Sequence, residues 1–156
     1  MTNNDTLRRI RYVFDFDDSK MIAIFGLADL EVTRAEISDW LKKDDDPAYV
    51  RCTDHQMACF LNGLIVDRRG RKDGPQRASE HCLNNNLTFM KLKIALNLKA
   101  EDVLEMVNQG DFRISKHELS AFFRKPGHKH YRECKDQVLR NFLKGMQLKY
   151  RDNKGN

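Results

Sequence analysis

Two stretches decide the fold: Met57-Ala58-Cys59-Phe60-Leu61-Asn62-Gly63-Leu64-Ile65 and Leu139-Arg140-Asn141-Phe142-Leu143-Lys144-Gly145-Met146. In the first, Met57, Phe60, Leu61, Leu64 and Ile65 recur at i, i+3, i+4, i+7 and i+8, which lays one apolar stripe along an α-helix. Leu139, Phe142, Leu143 and Met146 repeat the stripe 82 positions later, and the same offset carries Gly63 onto Gly145.

Extended outward, that offset holds without a gap. Asn3-Asn4 falls on Asn85-Asn86, Asp29 on Asp111, Glu36 on Glu118, Tyr49 on Tyr131, Cys52 on Cys134 and Asp54 on Asp136. Apolar positions meet apolar positions throughout, so each copy solves the same packing problem. The organisation read from this is a helical repeat at 3–70, a polar linker at 71–84 and a second helical repeat at 85–152.

Each copy spells four helices. The first begins near Asn4 or Asn86 and presents Leu7, Ile10 and Phe14, or Phe89, Leu92 and Leu96; its asparagines suit N-caps, whose short side-chain oxygens accept an orphan backbone N–H. The second follows Asp17-Asp18, uses Met21, Ile22 and Phe25, or Val103, Leu104 and Val107, and is expected to end at Gly26 or Gly110. The third opens on Thr33-x-x-Glu36 or Ser115-x-x-Glu118, capping boxes in which hydroxyl and carboxylate satisfy backbone donors reciprocally. It buries Ile37, Trp40 and Leu41, or Leu119, Phe122 and Phe123. No strand pattern or hairpin turn accompanies them. The fold class is therefore all-α, a tandem duplication of a four-helix module packed with pseudo-twofold symmetry.

Glycine inside a helix costs about 1 kcal/mol relative to alanine. Its presence at both Gly63 and Gly145 indicates a close backbone approach or a bend; close packing of the two fourth helices across the pseudo-twofold axis is the arrangement expected. The linker Gly70–Leu83, GRKDGPQRASEHCL, is polar, broken by Gly70, Gly74 and Pro75, and expected to be exposed and mobile.

The 156 residues carry a net charge of +5 with 40% apolar and 33% charged residues, a globular composition. The charge is divided unequally. Residues 3–70 hold ten Lys and Arg against thirteen Asp and Glu, a net −3, and residues 85–152 hold fourteen against eight, a net +6. An anionic partner is expected to prefer the second copy. There is neither a long apolar run nor a signal-like N-terminus, so no membrane is expected and a cytoplasmic location is. Cys52, Cys59, Cys82 and Cys134 form no CxxC pair, and reduced thiols are expected.

The strings NNNLTFMKLKIALNLKAEDVL (84–104), HKHYRECKDQVLRNFLKGM (128–146) and FLNGLIVDRRG (60–70) together resemble the YehS-like family of bacterial proteins, a domain of unknown function. The resemblance covers essentially the whole chain. It implies a bacterial cytoplasmic protein with a duplicated helical domain, and it implies no activity, substrate, cofactor or catalytic residue.

Three constellations bear on chemistry. The second and third helices resemble a helix-turn-helix unit, which would aim Arg34, Ser38 and Lys42, or Lys116, Ser120 and Arg124, at nucleic acid, with Lys125 adjoining and Arg68, Arg69, Arg71 and Lys72 as a further basic cluster. The turn Ala28–Val32 is long for that motif, and Glu36 and Asp39 would sit near phosphates. His128, His130 and Cys134 are zinc-type ligands, but three do not close a structural site, and Asp46, Ala48 and Cys52 stand at the matching places in the first copy. A nucleophilic Cys134 is weighed against a small core cysteine, the role that Cys52 supports. Asp15, Asp17, Asp18 and Asp44–Asp46 match no calcium loop and read as caps and turns. The expectation is a non-enzymatic binding protein with no cofactor and no metal. Its partner is a nucleic acid or another protein, homo-oligomerisation included, and a small Cys/His enzyme is the weakest alternative.

Overall fold

The computed structural model describes residues 1–153. Among these the chain is helical without a strand, and it divides into two compact units, the first Met1–Leu83 and the second beginning at Asn84. Linker residues 71–83 thus belong to the first unit, and Asn84 opens the second. That unit contains α1 (Asn3–Phe14), α2 (Asp18–Leu27), α3 (Arg34–Leu41) and α4 (Asp54–Arg69). The second contains α5 (Asn85–Ala95), α6 (Ala100–Val107), α7 (Lys116–Phe122) and α8 (Asp136–Gln147), with a π-helical turn at Leu148–Asp152.

Local chemistry starts these helices where the side chains dictate. The third helix of each copy has its capping box: Thr33 N donates to Glu36 Oε1 at 3.0 Å and Glu36 N to Thr33 Oγ1 at 3.1 Å, while Ser115 and Glu118 make the same pair at 3.1 and 3.0 Å. Two further boxes, Thr2 with Asp5 and Thr53 with Gln56, open α1 and α4. Thr53 is replaced by Lys135 in the second copy, and α8 starts without a side-chain cap. Helix α2 does not stop at Gly26, which lies inside it; the chain reverses at Asp29, φ 62°, and in the second copy at Gly110, φ 58°. Asp15 and Asn97, equivalent under the offset, end α1 and α5 in the left-handed region at φ 55° and 54°.

The core of the first unit sits where α2 lies along α4, closed by α1 and α3. Phe25 packs against Trp40 and Phe60, with centroids 5.4 and 5.1 Å away. In the second unit the aromatic cluster centres instead on Phe89 of α5, 4.7 Å from Phe142 and 5.0 Å from Phe123. The buried set on the second helices is Met21, Ile24, Phe25 and Val103, Met106, Val107, so the stripe runs through Ile24 and Met106 while Ile22 and Leu104 are half-buried.

That register explains the paired glycines. A Cβ at Gly63 would overlap the Ile24 carbonyl, and one at Gly145 would overlap the backbone and Cβ of Met106. The close approach is therefore made within each copy, fourth helix against second. The nearest atoms belong to α2 and α6, not to the other fourth helix.

The asparagine pairs do more than cap. Asn4 is fully buried; its Nδ2 donates to the Trp40 and Val50 carbonyls, both at 2.9 Å, and its Oδ1 accepts from Cys52 N at 3.0 Å. Asn86 holds the equivalent partners, Phe122 O at 3.0 Å, Arg132 O at 2.7 Å and Cys134 N at 2.9 Å. Beside them, Asn3 and Asn85 donate to the Cys52 and Cys134 carbonyls and to Asp54 and Asp136. Each pair ties the start of the first helix to the end of the third and to the irregular segment before the fourth. Residues with no regular backbone partners are thereby satisfied by side chains.

Candidate anion-binding cleft on the second copy

The asparagine clamp fixes the segment between α7 and α8, which carries the His-rich string. Within it His128 N donates to Lys125 O at 3.0 Å and Tyr131 N to His128 O at 2.9 Å, making two successive turns, and Arg132 N returns to Ala121 O at 3.2 Å. His130 N also donates to His128 Nδ1 at 3.0 Å. The segment folds back beside α7 and leaves a cleft of about 390 Å³ lined by His117 and Glu118 on one side and Lys129, His130, Tyr131 and Arg132 on the other. The His117 and His130 rings lie 6.5 Å apart, and those of His128 and His130 5.5 Å apart.

Duplication supplies an internal comparison. At the positions of His117, Lys129, His130 and Arg132 the first copy has Ala35, Pro47, Ala48 and Val50, while Glu36 and Tyr49 match Glu118 and Tyr131. The shared residues belong to the fold. The cationic and imidazole groups are additions to it, and they concentrate donors where the first copy offers none.

The helix-turn-helix residues fall into two groups. In the first copy Arg34 pairs with Asp18 at 3.7 Å and donates to Ser19 at 3.0 Å. Lys42 donates to Ser38 Oγ at 2.9 Å and contacts Asp39 at 3.4 Å. Arg68 lies over the Phe14 ring, 5.0 Å from its centroid, and Arg69 is exposed at the end of α4. In the second copy Lys116 pairs with Glu101 at 3.5 Å through two well-exposed side chains, and Ser120 Oγ donates back to His117 O at 2.8 Å. Arg124 and Lys125 are exposed just beyond α7, next to the cleft-forming segment. The connections α2–α3 and α6–α7 occupy residues 28–33 and 108–115, both longer than the three- or four-residue turn of the DNA-binding motif.

The zinc-type ligands do not converge. His128 and His130 are exposed, whereas Cys134 is 1% exposed. Among the described residues no group of three or more His, Cys, Asp or Glu side chains is placed to hold a metal ion. Burial, and then the Asp136 charge, push the Cys134 thiol up to about 12. Cys52 is likewise pushed to about 12 by burial and then by Asp54 and Cys59. Both are core thiols kept protonated at neutral pH, which removes the nucleophile reading of Cys134.

A different Cys/His pair is present in the first copy. His55 and Cys59 are one helical turn apart on α4, with His55 Nε2 3.8 Å from Cys59 Sγ. The i, i+4 spacing was legible in the sequence; the partner that orients the imidazole was not, because it comes from the linker. Residues 70–78 are exposed as expected, but 79–83 dock on α4. Asn62 Nδ2 donates to Ser79 Oγ and Glu80 Oε1, both at 3.1 Å, and Asp54 accepts from Leu83 N at 3.0 Å.

No helix among the described residues is long and apolar enough to cross a membrane. No solved structure matches the chain. It is 39% identical over 156 residues to the protein named uncharacterized protein YehS of Escherichia coli (strain K12), a likeness covering 99% of this chain and 100% of that one. With a family model matching residues 3–70 and again residues 85–152, almost the whole of both copies, the chain belongs to the family described as protein of unknown function (DUF1456).

Proposed function

We propose that the chain is a binding protein whose second copy receives the phosphate backbone of a nucleic acid on the cleft beside α7 and on the adjoining Lys116, Arg124 and Lys125. The observation that carries this reading is the contrast between equivalent positions. His117, Lys129, His130 and Arg132 surround the cleft in the copy with net charge +6, and Ala35, Pro47, Ala48 and Val50 replace them in the copy with net charge −3. The long α6–α7 connection and the seven-residue α7 favour backbone contact over docking of a recognition helix in a groove. Binding of this kind draws on counterion release and tolerates sequence.

The test is fluorescence anisotropy of the full chain with a labelled mixed-sequence DNA duplex and a single-stranded RNA, titrated at low salt and then at rising salt. Binding is expected at low salt, with log affinity falling linearly against log salt. Combining Lys116→Glu, Arg124→Glu and Lys125→Glu is expected to abolish it. A wild-type protein that shifts neither probe at low salt overturns the reading.

A further inference from the structure

We infer that Cys59 is a peroxide-reactive thiol, with His55 as its proton acceptor and Cys82 as its resolving thiol. A carbonyl oxygen only accepts, so the 3.0 Å contact between His55 Nδ1 and Glu80 O places the imidazole proton on Nδ1. Nε2 is then the free acceptor, and it is the atom facing Cys59 Sγ at 3.8 Å. The ring is held in that attitude by His81, stacked on it at 4.2 Å between centroids and 8° between planes. A thiol, a base and an orienting acceptor are thus assembled in one place.

The pair lines a cleft of about 380 Å³ that also receives Leu27, Leu30, Val66 and Arg77. Cys59 itself is only 2% exposed, so the electrophile that reaches its sulfur must be small at its reacting end. A hydroperoxide meets that condition, and a cleft walled by Leu27, Leu30 and Val66, with the polar side chains of Asp29, Asn62 and Arg77 beside them, accommodates hydrogen peroxide or a small organic hydroperoxide. Position 55 is glutamine and position 59 asparagine in the second copy, Gln137 and Asn141, so the fold does not require either residue.

The reaction balances with the hydroperoxide as the oxidant. Cys59 Sγ–H passes its proton to His55 Nε2, and the thiolate attacks the terminal peroxide oxygen. The O–O bond breaks, the departing alkoxide or hydroxide takes the proton from Nε2, and Cys59 becomes a sulfenic acid while the hydroperoxide is reduced to an alcohol or water. Cys82, exposed and next in sequence to His81, then attacks the sulfenic sulfur; a disulfide forms and water leaves. The approach requires local movement of residues 80–83 from their docked position on α4.

The experiment treats the reduced full-length protein with hydrogen peroxide, with and without dimedone, and follows each cysteine by peptide mass spectrometry. A Cys59–Cys82 disulfide is expected in the wild type, and a dimedone adduct on Cys59 in Cys82→Ser. His55→Gln, which installs the second copy's residue, is expected to slow Cys59 oxidation by at least about tenfold. Cys52 and Cys134 serve as buried thiols without a histidine partner, so the wild-type comparison stands even if a variant folds poorly. Cys59 oxidising no faster than those two overturns the site, and a Cys59 adduct with no bridge to Cys82 overturns the resolving step.

Discussion

Single side chains in this protein carry structure that composition alone would assign elsewhere. The Asn-Asn pairs illustrate it. Their position before an apolar stripe reads as N-cap chemistry, yet Thr2 and Asn84 hold the caps, and the pairs serve the loops. Asn4 makes three hydrogen bonds with no exposure to water, so truncation strands two carbonyls and one N–H. Leaving buried groups of this kind unpaired costs about 1–3 kcal/mol each. Asn4→Ala is therefore expected to destabilise the protein by about 3 kcal/mol or more, read as a drop in the urea midpoint. Asn86→Ala should do the same, with Asn86 only 5% exposed and its partners equivalent. A loss under about 1 kcal/mol at both sites would mean that water replaces the side chain. Sequence revealed that these asparagines repeat. It could not reveal their partners, which lie 36 to 48 positions along the chain.

At the scale of elements, what the sequence made plain was what local chemistry controls: two of the capping boxes, the apolar stripe of the fourth helix and the four-helix count per copy. The choice of neighbour was not local, and the glycines show the difference. Gly63 sits where α2 packs on α4, so Gly63→Ala drives a methyl group into the Ile24 carbonyl, and overpacking of that kind costs about 1–3 kcal/mol. Alanine's better helix propensity returns only about 1 kcal/mol. Gly26 provides the control. It is inside α2, has no neighbour within 4 Å of an added Cβ, and lies outside the left-handed region. Gly63→Ala is expected to lower the melting temperature and Gly26→Ala to raise it, by roughly 0.5–1 kcal/mol of stabilisation for the latter. A rise for both would show that α2 moves aside without penalty. The linker divides for the same reason: its glycines and charges mark the exposed part, while the docking of 79–83 depends on Asp54, His55 and Asn62, residues of α4 that no linker pattern encodes.

At the scale of the whole molecule, the two copies keep one fold and differ in surface charge, and the structure shows how differently that charge is engaged. In the first copy Arg34 and Lys42 already face Asp18 and Asp39, and Arg68 lies over an aromatic ring. A cation held beside a carboxylate releases fewer counterions from a nucleic acid, because its field is partly cancelled before the phosphate arrives. In the second copy only Lys116 of the three proposed cations has an ion pair among the described residues; Arg124 and Lys125 have none. Neutralising Lys116, Arg124 and Lys125 to glutamine should therefore flatten the slope of log affinity against log salt by about two, since each duplex phosphate that the protein neutralises adds about 0.9 to it. The matched set Arg34→Gln, Lys42→Gln and Arg68→Gln should change it by less than about half a unit. Glutamine keeps much of the length of the side chains, so packing along the stems is retained while the charge goes. Equal slopes for the two sets would place the binding surface on both copies and remove the assignment to the second. A slope flattened only by the Arg34, Lys42 and Arg68 set would reverse it, and the cleft at His117 and His130 would then have no connection with the charge that draws the nucleic acid in.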